Sequence, residues 1–130
     1  RKAGIAALAA LAIGALITNV ALKNIIARIR PYEVVEGLKL LIEPQSDFSF
    51  PSGHTCASIG AALVMYPFLE RKWGIPLVIL AVLISLSRLY VGVHYPTDVL
   101  GGAVVGAFAA WGAVRIVKHG LVRKAKQAEK

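Results

Sequence analysis

The longest apolar segment of the chain extends from Ala3 to Leu22, and its only polar residues are Thr18 and Asn19. At about 1.5 Å per residue, a helix of roughly twenty residues crosses the hydrocarbon core of a bilayer. A single segment in lipid must satisfy its own backbone hydrogen bonds, and only a helix does so. We therefore predict a membrane-spanning helix at residues 3–22.

Three further apolar segments follow, at residues 54–69, 75–88 and 97–117. With 57% hydrophobic residues and a mean hydropathy of +0.66, the chain is too apolar for an ordinary soluble domain. The segments predict an all-α fold, an integral-membrane bundle of about four transmembrane helices that forms one domain over residues 1–130. Gly102, Gly106 and Ala110 recur every fourth residue and predict a smooth helix face for close packing.

The first two spans are joined by residues 31–50, which are too charged to cross a membrane because they contain four acidic residues and a lysine. Within this loop, the short apolar patch at residues 38–42 predicts a half-buried helical turn on the membrane surface.

Ten of the fifteen lysines and arginines lie in three clusters, which are Arg1 and Lys2, then Arg71 and Lys72, then Arg115, Lys118, Arg123, Lys124, Lys126 and Lys130. Four spans place these clusters on one side of the membrane, which the positive-inside rule assigns to the cytoplasm. We therefore expect a protein of the plasma (inner) membrane with cytoplasmic termini and an extracytoplasmic loop at 31–50. A solvated tail accounts for the basic C-terminus, so no nucleic-acid partner is expected.

Basic residues also occur at the opposite, extracytoplasmic end of the first span. Lys23 and Arg30 are seven residues apart, two helical turns, and are expected to project from one helix face that stops at Pro31. A basic cap that reaches the interface is the alternative. Because the three basic clusters already take the cytoplasmic side, an anion clamp is favoured. Arg28 points away from this face and is expected to be an interface anchor.

The second span opens with Pro51-Ser52-Gly53-His54. A helix start presents unpaired N–H groups, and glycine permits close approach, so this sequence favours a phosphate cradle to which Ser52 adds a hydroxyl. His54 lies at the same opening, where it can donate a proton. An ordinary helix cap explains the serine but gives the histidine no function.

The third and fourth spans are joined by a segment that carries Arg88, His94 and Asp98. Pro96 predicts a helix start, so His94 precedes the helix and Asp98 falls in its first turn. The carboxylate can then fix the tautomer of the imidazole and leave its other nitrogen free to attack. A polar loop at the membrane interface, with Arg88 as an anchor, is the alternative.

On this topology eight residues meet at one membrane face: Lys23, Arg30, Ser52, Gly53, His54, Arg88, His94 and Asp98. Three cations, a hydroxyl and helix-start N–H groups suit a phosphoryl group, while two histidines and an aspartate supply nucleophile, acid and orienting group. The sequence contains neither a carboxylate cluster suited to Mg²⁺ nor a Cys/His set suited to zinc. We therefore expect no metal and no other cofactor.

In these residues the chain resembles the phosphatidic acid phosphatase type 2 superfamily. The family's three motifs correspond to Lys23 with Arg30-Pro31, to Pro51 through His54, and to Ser87-Arg88 with His94 and Asp98. The resemblance implies that His94 attacks phosphorus and becomes a phosphohistidine, that Asp98 orients it, and that His54 protonates the leaving oxygen and later helps to activate water. It also implies five phosphate-binding residues, Lys23, Arg30, Ser52, Gly53 and Arg88.

The same resemblance implies an integral-membrane lipid phosphatase that acts on a phosphate or diphosphate head group at the outer face. Undecaprenyl diphosphate is favoured, because a short chain with an outward site suits carrier-lipid recycling in a bacterium. Phosphatidylglycerophosphate and phosphatidic acid are the alternatives, and a membrane protein that binds lipid phosphates without hydrolysing them is a more distant one.

Membrane members of the family commonly have six spans, with the motifs on the last four. The chain begins at Arg1 without a methionine. We therefore expect either a catalytic four-helix core without the first two helices or a member that never had them.

Overall fold

The first apolar segment forms one long helical rod in the computed structural model, which describes residues 2–128, with side chains as far as residue 117. Helix α1 (Lys2–Ala15) continues into a π-helical stretch (Leu16–Leu22) and then into a last α-helical turn, α2 (Lys23–Ile26). At the end of the π-helical stretch, the Lys23 N–H bonds to the carbonyl of Thr18, five residues back. Wide turns of this kind occur frequently at functional sites.

The rod ends at Ala27, which adopts a left-handed conformation with φ +47°. Arg30 is then extended, and Pro31 starts the short helix α3 (Pro31–Val34). The prediction that Lys23 and Arg30 project from one continuous helix face is therefore wrong. The left-handed residue ends the helix instead, so helical spacing does not determine the relative positions of the two basic side chains.

The loop that follows α3 contains no helix at residues 38–42, so the predicted surface turn there is wrong. A patch of five residues cannot offset the cost of nucleating a helix in isolation. Leu38 instead packs on the turn at Gly92, where an added Cβ would lie 2.7 Å from the Leu38 Cδ2 atom. Gly92 also has φ +78°, a conformation that favours glycine.

The remaining helices are α4 (Gly53–Met65), followed by a 3-10 turn (Tyr66–Phe68), then α5 (Arg71–Tyr90) and α6 (Pro96–Ala128). Helix α4 has 13 residues and is about 20 Å long, shorter than the span expected at 54–69. Pro67 has no N–H to extend it. Helix α6 continues beyond the span end expected at 117. Every regular element between residues 2 and 128 is helical.

By length and composition, three helical segments of the described chain could cross a membrane, and they are Lys2–Val34, Arg71–Tyr90 and Pro96–Val117. Helix α4 lies among them and packs against α1, α5 and α6. The basic residues Arg1 and Lys118 onward, together with His119, lie outside the described side chains.

The contact between α4 and α6 depends on glycine. An added Cβ on Gly102 would lie 2.5 Å from the carbonyl oxygen of Ser52, and one on Gly106 would lie 2.6 Å from that of Cys56. Ala110, on the same row, is 4% exposed. The predicted close-packing face of α6 is therefore confirmed, and the backbone contact fixes the first turns of the two helices side by side.

Candidate active site

A cavity of about 310 Å³ lies at the end of the bundle where α2 ends, α4 begins, α5 ends and α6 begins. Six of the eight residues predicted for the site line it: Lys23, Arg30, Gly53, His54, Arg88 and His94. The other two, Ser52 and Asp98, are completely buried. The motifs, which are distant in sequence, therefore meet at one end of the bundle.

His94 lies just before α6, and Asp98 lies in the first turn of that helix. The Nδ1 atom of His94 is 3.5 Å from the Oδ2 atom of Asp98. Among the residues with described side chains, this nitrogen is buried and has no hydrogen-bond partner within normal distance. Catalytic hydrogen bonds are often long before a substrate binds. The carboxylate is thus placed to accept a hydrogen bond from Nδ1–H, which leaves Nε2 unprotonated.

The Asp98 carboxylate is surrounded by hydrogen-bond donors. Its Oδ2 atom accepts hydrogen bonds from the Tyr95 N–H at 2.8 Å and from the Ser49 hydroxyl, while its Oδ1 atom accepts one from Arg28 Nη1 at 2.8 Å. These partners fit an ionised carboxylate, which only accepts. They leave Asp98 one orientation, with Oδ2 towards His94.

Arg28 and Ser49 are therefore parts of the site that the sequence analysis missed. Arg28 also donates to the Thr97 hydroxyl, and its guanidinium lies 3.9 Å above the ring of Tyr95. The prediction that Arg28 is an interface anchor is wrong, because the left-handed turn at Ala27 directs it to the start of α6. Ser49 donates its N–H to the Arg28 carbonyl at 2.8 Å, which ties the loop to the same network.

Lys23 and Arg30 both bind Asp47, a third residue that the sequence analysis did not assign to the site. Lys23 Nζ contacts Asp47 Oδ2, and Arg30 Nη2 contacts Asp47 Oδ1. Partial burial opposes ionisation of Asp47, but the bonds from Lys23 and Arg30 outweigh it and keep the pKa of the carboxyl below its usual value. No pattern in the sequence distinguishes Asp47 from the other acidic residues of its loop.

The first turn of α4 forms the floor of the cavity. Gly53 lines it, and the first N–H groups of a helix have no partner within the helix. Ser52 caps α4, since its hydroxyl oxygen accepts a hydrogen bond from the Thr55 N–H at 3.4 Å. Ser52 also donates its N–H to the Asp98 carbonyl at 2.9 Å, which links α4 to α6. A direct contact between the Ser52 hydroxyl and phosphate stays a prediction.

His54 and Arg88 complete the lining of the cavity. His54 is exposed to it, whereas His94 is only 6% exposed. Arg88 forms no ion pair with an acidic residue in the described part of the chain, and its guanidinium donates to the neighbouring Ser87 hydroxyl at 3.2 Å. Its charge is thus available to an anion in the cavity.

A protein-family model for the PAP2 superfamily matches residues 3–120 of the chain. The chain belongs to this superfamily. An undecaprenyl-diphosphatase from Sulfolobus acidocaldarius is 36% identical over 128 residues, which cover 98% of the PAP2 chain and 61% of the relative.

Two solved structures also resemble the PAP2 chain. The crystal structure of Aquifex aeolicus LpxE has a TM-score of 0.80 at 28% identity, and the match covers 87% of this chain and 67% of that one. The crystal structure of a transmembrane PAP2-type phosphatidylglycerolphosphate phosphatase from Bacillus subtilis has a TM-score of 0.66 at 34% identity, with coverage of 93% and 59%. The chain therefore spans about three fifths to two thirds of the length of these relatives, and it is an integral-membrane helical bundle of their type.

Proposed function

We propose that the chain is the catalytic part of an integral-membrane lipid phosphatase that works through a phosphohistidine intermediate. The observation that carries this proposal is that two histidines and three cations line one cavity. One of those histidines, His94, has a fully buried carboxylate behind it and an open cavity in front. An imidazole whose orientation is fixed by a carboxylate in this way is typical of an activated nucleophile.

The proposed reaction has two halves. His94 Nε2 attacks phosphorus, the P–N bond forms, and the bond from phosphorus to the leaving oxygen breaks as His54 donates a proton to that oxygen. A water molecule then gives its proton to His54 and attacks phosphorus, which breaks the P–N bond and releases phosphate. Lys23, Arg30, Arg88 and the start of α4 stabilise the negative charge of the phosphoryl oxygens in both halves.

Positive charge at the cavity comes from side chains, so the proposed reaction does not require a metal ion. The carboxylate that lines the cavity, Asp47, is already bound to Lys23 and Arg30. We expect phosphate release to be unchanged in excess EDTA. Activity that EDTA abolishes and Mg²⁺ restores would contradict the metal-independent mechanism.

The proposed substrate is undecaprenyl diphosphate, and similarity to an undecaprenyl-diphosphatase over 98% of the chain supports it. Phosphatidylglycerophosphate is the second candidate, because the transmembrane structure with 34% identity is that of a phosphatidylglycerolphosphate phosphatase. Phosphatidic acid is the third. We propose further that the protein lies in the plasma (inner) membrane, with the cavity on the extracytoplasmic side and the termini in the cytoplasm.

The test is phosphate release by the purified chain in detergent from each of these three lipids, with EDTA present. Release from undecaprenyl diphosphate at the highest kcat/KM supports the full proposal. A higher kcat/KM for either phospholipid supports the phosphatase activity but makes that phospholipid the preferred substrate. If the chain binds phosphate and releases none from any of the lipids, it is a lipid-phosphate-binding protein and the proposal is wrong.

Arg28 offers a further test, because it binds Asp98 but does not line the cavity. We expect Arg28→Gln to lower kcat about ten- to a hundredfold, as the loss of an outer partner of a catalytic group commonly does. KM should change little, and Arg28→Lys, which keeps the charge, should recover part of the rate. The steady-state kinetics of the two variants provide the measurement. An increase in KM at constant kcat would mean that Arg28 contacts substrate and does not position Asp98.

A further inference from the structure

The Asp47 carboxylate lies where the proposed mechanism requires a phosphoryl group. It binds Lys23 and Arg30, and it lines the same cavity as His54, Arg88 and His94. A carboxylate and a phosphate are both anions that accept hydrogen bonds from lysine and arginine, so they compete for the same donors.

Each of the three guanidinium nitrogens of Arg30 already donates a hydrogen bond to the protein chain. Its Nε donates to the Asp47 carbonyl at 2.8 Å, and its Nη1 donates to the Val93 carbonyl at 2.8 Å. Its remaining nitrogen, Nη2, donates to Asp47 Oδ1 and, at 3.5 Å, to the Phe48 carbonyl. Because the bonds to the Val93 and Asp47 carbonyls fix the guanidinium, an incoming phosphate binds Nη2 of Arg30 by displacing the Asp47 side chain.

The Asp47 side chain can move away while the backbone of its loop stays in place. The Asp47 side chain is 50% exposed, whereas those of Lys23 and Arg30 are 8% and 3% exposed. The backbone beside Asp47 is held by Arg30 and by the Tyr32 hydroxyl, which bonds to both the N–H and the carbonyl of Gln45. Rotation of the Asp47 side chain towards solvent therefore frees Lys23 and Arg30 to bind an anion.

We propose that Asp47 is an internal competitor, a carboxylate that weakens the binding of every phosphate ligand at this site. The inference rests on the proposed function only for the assignment of the cavity as a phosphoryl site. Inorganic phosphate has no contacts outside the phosphoryl site to offset the displacement of Asp47. A lipid substrate also gains from its apolar chain in the membrane, so it can bind despite this cost, while the same cost weakens the retention of the phosphate product.

The test compares Asp47→Asn with Glu43→Gln. Asparagine keeps the size of the side chain and removes its charge. Glu43 lies in the same loop, is exposed and forms no ion pair in the described part of the chain, so its variant controls for the loss of one negative charge near the cavity. Binding of inorganic phosphate to each purified chain in detergent, measured by titration calorimetry, needs no turnover.

We expect Asp47→Asn to bind phosphate about ten- to a hundredfold more tightly than the wild type, since charge-assisted hydrogen bonds no longer have to be exchanged. Glu43→Gln should change the affinity less than about twofold, the size expected of a surface charge. Binding that is measurable only in Asp47→Asn also supports the inference. Unchanged or weaker binding in Asp47→Asn, or no binding in any chain, overturns it. Circular dichroism and Tm confirm that each variant is folded.

The two proposals can fail separately. Tighter phosphate binding in Asp47→Asn without hydrolysis of any lipid supports Asp47 as a competitor and contradicts the proposed phosphatase activity. Lipid hydrolysis with unchanged phosphate affinity in Asp47→Asn supports the phosphatase activity and contradicts the role of Asp47 as a competitor.

Discussion

Replacement of His94 by alanine is expected to lower kcat for phosphate release by at least about ten-thousandfold, the size of effect seen when an enzyme loses its nucleophile. His94 lines the cavity with a buried carboxylate behind it. His54 lines the same cavity but bonds to no carboxylate in the described part of the structure, so it is a poor substitute. Steady-state phosphate release in detergent measures the loss.

The matched control is His54→Ala, which removes the other imidazole of the cavity. After quenching with a ³²P-labelled substrate, the wild type should carry an acid-labile, base-stable label. His54→Ala should acquire the same label more slowly, because it lacks the acid for the leaving oxygen, whereas His94→Ala should carry none at any time. Phosphate affinity should stay close to wild type in His94→Ala, because Lys23, Arg30 and Arg88 remain. Label on His94→Ala, or a rate near that of wild type, would show that His94 is not the nucleophile.

The meeting of the three motifs could be predicted from the sequence, because each motif lies at the end of an apolar span. Helices that run back and forth across a membrane bring such ends to one side. The close contact of α4 with α6 could also be predicted, from the spacing of Gly102 and Gly106. Both inferences depend only on helical periodicity and on the length of a span.

The roles of Arg28 and Asp47 could not be predicted, because they depend on irregular backbone. Helical spacing directs Arg28 away from Lys23, but one left-handed residue, Ala27, reverses this and brings Arg28 to Asp98. Alanine gives no signal for such a conformation, which is uncommon outside glycine. Asp47 lies in a loop whose path is set by tertiary bonds from Arg30 and Tyr32. Local sequence does not encode those bonds.

Replacement of Asp98 by asparagine is expected to lower kcat by about a hundred- to ten-thousandfold, the range for loss of a residue that orients a catalytic histidine. The carboxylate accepts at both ends, from Arg28 at Oδ1 and from the Tyr95 N–H at Oδ2. An amide has one accepting end, so its NH₂ group must face a donor in either orientation. If NH₂ faces Arg28, the guanidinium loses its hydrogen bond to this residue. If it faces His94, it favours the tautomer with the proton on Nε2, which cannot attack phosphorus.

Either orientation also leaves a buried donor unpaired at a residue that is completely buried. We expect the free energy of unfolding to fall by about 1–3 kcal/mol, with a lower Tm. Thr97→Val is the matched control, because it removes one hydrogen bond to Arg28 and leaves the carboxylate intact. Since Asp98 does not line the cavity, KM and phosphate affinity should be close to those of the wild type in Asp98→Asn. A variant with a lower Tm and normal kcat would mean that Asp98 only holds the start of α6, whereas a large loss of kcat at constant KM places its effect on the reactivity of His94.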